Sequence, residues 1–90
     1  MKTVLVFGDF DLLHPGHYHL LRRAATCADE LIVAVTPSSV IRILKKRAPL
    51  FSNKHRLGAL RHMTIVSHVL LGDKSLGSFS VIEEINPDII

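Results

Sequence analysis

The chain has 90 residues, of which 48% are hydrophobic, and it carries a net charge of +3 with its six histidines counted as neutral. This length allows one domain, residues 1–90, and its small size favours either a homodimer or a longer natural protein. The single cysteine, Cys27, excludes an internal disulfide and favours a reducing compartment. No apolar run approaches the ~20 residues that a membrane span needs, and the run after Met1 is too short for a signal peptide. We therefore expect a cytoplasmic protein with no membrane partner.

Strand and helix patterns alternate along the chain. Two apolar runs without polar alternation, Thr3–Phe7 and Leu31–Val35, predict strands buried on both faces, and Ile65–Leu71 is predicted as a third strand. Four helices are predicted, one from about Pro15 to Thr26 and three that carry Val40, Ile41 and Leu44, then Leu57 and Leu60 after a Ser52 cap, then Phe79, Ile82 and Ile85. Residues 76–78 predict a loop, and residues 88–90 predict the opening of a fourth strand that stays incomplete. This order predicts a Rossmann-like three-layer α/β sandwich, in which helices cover both faces of a parallel sheet of βαβ units.

The carboxyl end of the first strand is the predicted ligand edge, because open parallel sheets bind ligands there. A helix beginning near Pro15 would direct free N–H groups and its dipole at a phosphate group. Gly8 and Gly16 would let the ligand approach the backbone. His14 and His17 are three residues apart and would donate hydrogen bonds to phosphate oxygens from one face of the first turn.

The segment Gly8–His17, followed by Leu20-Leu21 and Ala24, contains neither of the glycine-rich phosphate motifs. It closely resembles the opening motif of the cytidylyltransferase-like nucleotidyltransferases, Gly-x-Phe-Asp-x-x-His-x-Gly-His between a strand and a helix. That superfamily includes glycerol-3-phosphate cytidylyltransferase, phosphopantetheine adenylyltransferase and archaeal-type FAD synthetase. The resemblance extends over nearly the whole chain, since residues 81–90 are similar to the segment that precedes the family's Gly-x-Asp turn.

The resemblance implies transfer of a nucleotidyl group from ATP or CTP to a phosphate-bearing small-molecule acceptor, with Mg²⁺ bound to the triphosphate and pyrophosphate released. Glycerol phosphate, flavin mononucleotide and phosphopantetheine stay open as acceptors, with a slight preference for the flavin branch. The implied catalytic residues are His14, His17 and Lys46. The implied nucleotide-binding residues are Gly8, Asp9, Phe10, Asp11, Gly16, Lys45 and Arg56. No protein side chain is expected to bind the metal directly.

Two departures from the family pattern leave alternatives open. Many members carry Thr, Ser or Val where this chain has Asp9, and a carboxylate there would repel phosphate, bond an acceptor hydroxyl or bind a metal. The 90 residues lack the family's Gly-x-Asp turn and its later Ser/Thr segment, which in the family help to bind the triphosphate. A catalytically weak or inactive nucleotide-binding module is therefore the second hypothesis. An RNA-binding domain is the third, but one Tyr and no Trp provide few stacking aromatics, so we expect no nucleic-acid partner.

Several residues have a plain structural interpretation. We expect ordinary polar surface roles for His19, His55, His62 and His68, a solvent-facing position for Arg22 and Arg23, and a place in the core for Cys27. Asp11 is predicted either to cap the turn that follows it or to contact the ligand. The Lys45–Arg47 segment is predicted to be either a solvated loop or a phosphate contact.

Overall fold

The computed structural model describes residues 1–73 and 80–90 of the chain. The helices and strands, in chain order, are β1 (Thr3–Gly8), α1 (Pro15–Ala25), β2 (Glu30–Val35), α2 (Ser38–Lys45), α3 (Asn53–Arg61), β3 (His68–Leu71) and α4 (Ser80–Ile85). The alternation of strands and helices confirms the predicted order. The predicted loop at residues 76–78 and the helical position of Phe79 lie outside the described residues.

The third strand is shorter than its apolar run. It begins at His68, whereas the sequence predicted a start at Ile65. A turn precedes it, in which the N–H of Val66 donates to the carbonyl of Met63 at 3.1 Å. Ile65 and Val66 pack against the core from this turn. Their apolar character therefore reflects packing of the turn, and not membership of the strand.

The three strands form a parallel sheet in the order β1-β2-β3. On the other edge of β1, Ile89 forms a parallel bridge with Val4, and the N–H of Leu5 donates to the carbonyl of Ile89 at 2.9 Å. This bridge places the last residues where a fourth strand would begin, as predicted. β1 is thereby flanked on both sides, and its carboxyl end lies in the middle of the sheet edge.

Helices cover both faces of the sheet because successive strand residues point to opposite sides. One buried cluster joins side chains of β1 and β2 to Leu21 of α1 and Leu60 of α3. The other cluster joins Leu5, Ile32 and Ala34 to Val81 of α4. The predicted three-layer sandwich is therefore confirmed.

The prediction that Cys27 lies in the core is wrong. The residue is exposed, and its Sγ lies 3.5 Å from the carbonyl oxygen of Arg23. Since α1 ends at Ala25, position 27 is past the helix and off its packed face. Arg22 and Arg23 are exposed, as expected. Among the residues that the structure describes, no helix has both the length and the apolar character needed to cross a bilayer.

Candidate functional site

His14 is the N-cap of α1, with extended backbone angles and Pro15 as the first helical residue. Its Nδ1 accepts a hydrogen bond from the N–H of Gly16 at 3.0 Å, and its own N–H donates to Nδ1 of His17 at 3.3 Å. This is a capping box in which two imidazoles replace the usual hydroxyl and carboxylate side chains. The two predicted catalytic histidines therefore also hold the start of the helix.

These hydrogen bonds determine which ring nitrogen carries the proton. A ring nitrogen that accepts a hydrogen bond has no hydrogen of its own, so the neutral forms of His14 and His17 carry the proton on Nε2. The ring centroids lie 4.1 Å apart. Within residues 1–73 and 80–90, neither Nε2 has a protein hydrogen-bond partner. His14 is exposed and His17 is half-buried, so a ligand in solvent can reach both rings.

The backbone donors of the first turn are occupied, unlike the free N–H groups expected from the sequence. Pro15 has no N–H, and the N–H of Gly16 is bonded to His14. The N–H groups of His17 and Tyr18 both donate to the carbonyl of His14, at 3.0 and 3.4 Å. The donors left for a phosphate group at this turn are therefore the two Nε2–H groups.

The structure provides a packing reason for both glycines of the motif. A Cβ at Gly8 would lie 2.6 Å from Cε2 of Phe10, and a Cβ at Gly16 would lie 2.7 Å from Cε1 of His14. Both distances are shorter than van der Waals contact allows. The glycines make room for two rings of the site itself, in addition to any ligand that they were predicted to admit.

Phe10 turns the chain at the end of β1. Its φ of 47° lies in the left-handed region, and its side chain is only 4% exposed. Its ring centroid lies 5.5 Å from that of His17, which it helps to shield from water. Burial, with a smaller contribution from the charge of His14, lowers the pKa of His17 below its ordinary value. His17 is therefore neutral at physiological pH, with its proton on Nε2.

Arg56 is buried, with a side chain 1% exposed, and all five N–H donors of its guanidinium are occupied. Nε and Nη1 donate to the carbonyls of Phe51, Asp9 and Thr36, and Nη2 donates to side chains of Ser38 and Asn53. Burial lowers the pKa of Arg56, while Asp11 and Asp9 oppose this shift. The arginine therefore joins the carboxyl ends of β1 and β2 to the starts of α2 and α3, and its predicted contact with nucleotide phosphate stays a prediction.

Asp11 anchors the segment that precedes α3. Its carboxylate accepts the N–H of Leu50 at 2.7 Å and the N–H of Phe51 at 2.9 Å, so it caps a distant loop and not the turn that follows it. Partial burial raises the pKa of Asp11, but these two hydrogen bonds and the charges of Arg56 and Arg47 outweigh it, and the net shift is downward. Whether Asp11 also contacts ligand stays a prediction.

Sequence reasoning missed Asn53, the first residue of α3. Its Oδ1 accepts from the N–H and the hydroxyl of Ser38, both at 2.9 Å, and from Arg56 at 2.7 Å. The pair Ser52-Asn53 before an apolar helix is a sequence signal of a helix start, and Ser52 does cap α3 as predicted. Nothing in the pattern indicated that the amide would hold the start of another helix.

The predicted lysines lie at the end of α2. Lys45 is its last residue, and Nζ of Lys45 forms an ion pair with Asp9 at 2.5 Å. Lys46 follows with a left-handed φ of 54° and an exposed side chain. The structure thus brings Lys45 to the end of β1, and it places Lys46 at the turn where the chain leaves the helix.

The other histidines lie outside this cluster. His19 is exposed on α1, His55 stacks on Phe51 with ring centroids 4.5 Å apart, His62 bonds the carbonyl of Gly58, and His68 lies 2.9 Å from a carboxylate oxygen of Glu30. In the described part of the chain, no three His, Cys, Asp or Glu side chains come together as a metal-binding group. A cavity of about 200 Å³ lies between the 10–13 segment and α3, bordered by Asp11 and Arg56.

Residues 5–90 match the Cytidylyltransferase-like family. The chain belongs to this family. The match contains the β1–α1 turn, both histidines and the buried arginine, so the geometry described above is that of a family member. This confirms the resemblance inferred from the motif Gly8–His17.

Similar proteins are named FAD synthase. The chain is 44% identical to the FAD synthase of Halalkalicoccus jeotgali over 90 residues, and 43% identical to that of Methanococcoides burtonii over 90 residues. Each match covers 100% of this chain and 61% of the relative, so the chain spans about three fifths of the length of these proteins. The crystal structure of the lipopolysaccharide core biosynthesis protein from Thermoplasma volcanium is also similar, with a TM-score of 0.91 and 32% identity over 98% of this chain and 70% of that one.

Proposed function

We propose that residues 1–90 bind a nucleoside triphosphate and form the part of a nucleotidyltransferase that stabilises the reacting phosphates. The observation that carries this proposal is the pair of Nε2–H donors of His14 and His17, held side by side at the carboxyl end of β1. Membership of the Cytidylyltransferase-like family supports it. The names of the relatives favour ATP as donor and flavin mononucleotide as acceptor, with FAD as product.

The proposed reaction is an in-line displacement. A phosphate oxygen of the acceptor attacks the α-phosphorus, the bond from that phosphorus to the oxygen bridging to the β-phosphate breaks, and the electron pair leaves with pyrophosphate. Negative charge on the phosphate oxygens rises in the transition state, and preorganised N–H donors stabilise it there. The capping box fixes both imidazoles before substrate binds, so no ring must reorganise during the reaction.

The remaining residues have supporting roles in this proposal. Lys46 and Lys45 would neutralise phosphate charge. Arg56, whose donors are all occupied within the protein, would position the ends of β1 and β2. Mg²⁺, bound through phosphate oxygens, would shield the charge of the triphosphate. The protein residues fit this arrangement, because the oxygens of Asp11 are bonded to backbone N–H groups and the carboxylate of Asp9 is paired with a lysine.

Pyrophosphate release tests the proposal directly. The chain is incubated with Mg²⁺, ATP and flavin mononucleotide, and in parallel with CTP and glycerol 3-phosphate. We expect release with the first pair, and loss of that release in His14→Ala and His17→Ala. His19→Ala is the matched control, because it removes an exposed imidazole from the same helix. Pyrophosphate release with CTP and glycerol 3-phosphate alone would support nucleotidyl transfer but would contradict the proposed substrates, ATP and flavin mononucleotide.

A nucleotide-binding module without catalytic activity is the second candidate, since the chain spans about three fifths of its relatives. Binding of ATP with Mg²⁺ in a thermal-shift panel of four triphosphates, without pyrophosphate release, would support it. Salt-sensitive RNA binding that persists in the two histidine variants would contradict both candidates. The homodimer and the cytoplasmic setting stay predictions.

A further inference from the structure

The ion pair between Lys45 and Asp9 joins the end of α2 to the end of β1, beside the histidine pair. Nζ lies 2.5 Å from Oδ2, and the side chains are 49% and 25% exposed. Exposed ion pairs contribute little to stability because water screens them. The fold therefore does not depend on this pair, although it involves a lysine predicted to bind phosphate.

Asp9 is the fixed partner of the pair. Its carbonyl oxygen accepts a hydrogen bond at 3.0 Å from the buried guanidinium of Arg56. The residue before it belongs to β1, and the residue after it is the buried Phe10. Lys45 is the last residue of a helix and has a flexible four-carbon chain. When the pair opens, the ammonium group is the part that moves.

While the pair is closed, both carboxylates at this end of the sheet lie close to a cation. The carboxylates of Asp9 and Asp11 face the ammonium of Lys45 and the guanidinium of Arg56. The N–H donors of Arg56 are occupied, and the nearby His17 is neutral at physiological pH. A polyphosphate that reaches the site therefore meets no free cation among these groups unless Lys45 leaves Asp9.

We propose that Asp9 is a positioning residue that holds Lys45 away from the phosphate site, and that a triphosphate binds by drawing the ammonium group from the carboxylate. The inference rests on the proposed function. The exchange breaks one ion pair and forms another, so its cost is set by how strongly Asp9 holds the lysine. Asp9 thus lowers the affinity for phosphate through Lys45.

Calorimetric binding of ATP with Mg²⁺ to four chains tests this exchange: wild type, Asp9→Asn, Lys45→Met and the double variant. We expect Asp9→Asn to bind up to about fivefold more tightly, the limit of what an exposed ion pair can supply. Lys45→Met should bind more weakly, and the double variant should match Lys45→Met because Asp9 acts through the lysine.

Asp29→Asn is the matched control for net charge. Asp29 lies at the opposite, amino-terminal edge of the sheet, where its carboxylate accepts the N–H of Lys2 at 2.8 Å. The substitution removes the same charge as Asp9→Asn but should leave the dissociation constant unchanged. A second measurement needs no nucleotide. It is the rate at which an acylating reagent modifies Lys45, compared with the rate for the exposed Lys54. We expect Lys45 to react faster in Asp9→Asn than in wild type.

Two binding results would overturn the inference alone. One is an Asp9→Asn chain that binds no more tightly than wild type. The other is a double variant that binds more tightly than Lys45→Met, which would show direct repulsion by Asp9. Equal acylation of Lys45 in wild type and Asp9→Asn would also overturn it. Absence of ATP binding in every chain would refute the proposed function together with the inference.

Discussion

The backbone N–H of His14 donates to Nδ1 of His17, while Nδ1 of His14 accepts the N–H of the intervening glycine. In each ring, Nδ1 therefore accepts a backbone N–H at the helix start, and Nε2 is left for a ligand. In the proposed function, helix capping and phosphate recognition use opposite sides of the same two imidazoles. This relationship makes the chemistry of the site depend on the integrity of the first turn of α1.

Replacing His17 by Ala is expected to slow nucleotidyl transfer by about two to three orders of magnitude, the usual effect of removing one preorganised donor from a transition state. The free energy of unfolding should change little, by about 1 kcal/mol, because one capping contact is lost. Pyrophosphate release and urea unfolding measure the two quantities. His19→Ala should retain full activity. An active His17→Ala chain would refute the role assigned to His17.

The stability of the protein should depend on pH through His17. Its folded-state pKa lies below the ordinary 6.5 because of burial and, to a lesser extent, the charge of His14. The unfolded chain therefore binds this proton first, so the free energy of unfolding falls as the pH drops below about 6.5 and stops falling below the folded-state pKa. Thermal unfolding at about pH 7.5 and about pH 5.5 should show a larger loss in wild type than in His17→Gln. Equal losses in the two chains would contradict the assignment.

Arg56→Met is expected to destabilise the protein by about 3–5 kcal/mol, because it leaves the carbonyls of Asp9, Thr36 and Phe51 without their donor. Urea denaturation measures the change. Arg61→Ala, at the exposed end of the same helix, is the control and should stay within about 0.5 kcal/mol of wild type. A stable Arg56→Met chain that has lost triphosphate affinity would instead assign Arg56 to direct phosphate binding.

Gly16→Ala should displace the imidazole of His14, since the new Cβ would lie 2.7 Å from its Cε1. We expect transfer activity to fall by at least about tenfold, because the donor leaves its preorganised position. Gly58→Ala is the control on α3, where a Cβ meets no atom within 4 Å, and helix propensity should raise its stability by up to about 1 kcal/mol. Activity assays with circular dichroism melts separate the two effects. Unchanged activity in Gly16→Ala would show that the ring tolerates the added methyl group.

The local pattern determined much of the fold. Apolar runs indicated the buried strands, and Pro15 and the Ser52 cap marked helix starts, because these signals depend only on nearby backbone geometry. The motif from Gly8 to His17 also indicated the family, since its spacing is tied to one strand-to-helix turn. The start of β3 was missed because Ile65 is equally apolar in a strand and in a packed turn.

Only the tertiary structure decided which groups are free to act. From the sequence, Arg56 is a cation available to phosphate, but the folded chain buries it and bonds every N–H. Asp9 is a lone carboxylate until α2 brings Lys45 to it. The charge and the hydrogen-bonding groups of a residue are known from its type. Whether those groups are already paired within the protein depends on partners that lie far away along the chain. Contacts between residues that are distant in the chain produce no local sequence pattern. A motif can therefore indicate the residues of a site, but it does not show which of their hydrogen-bond donors are free to bind a ligand.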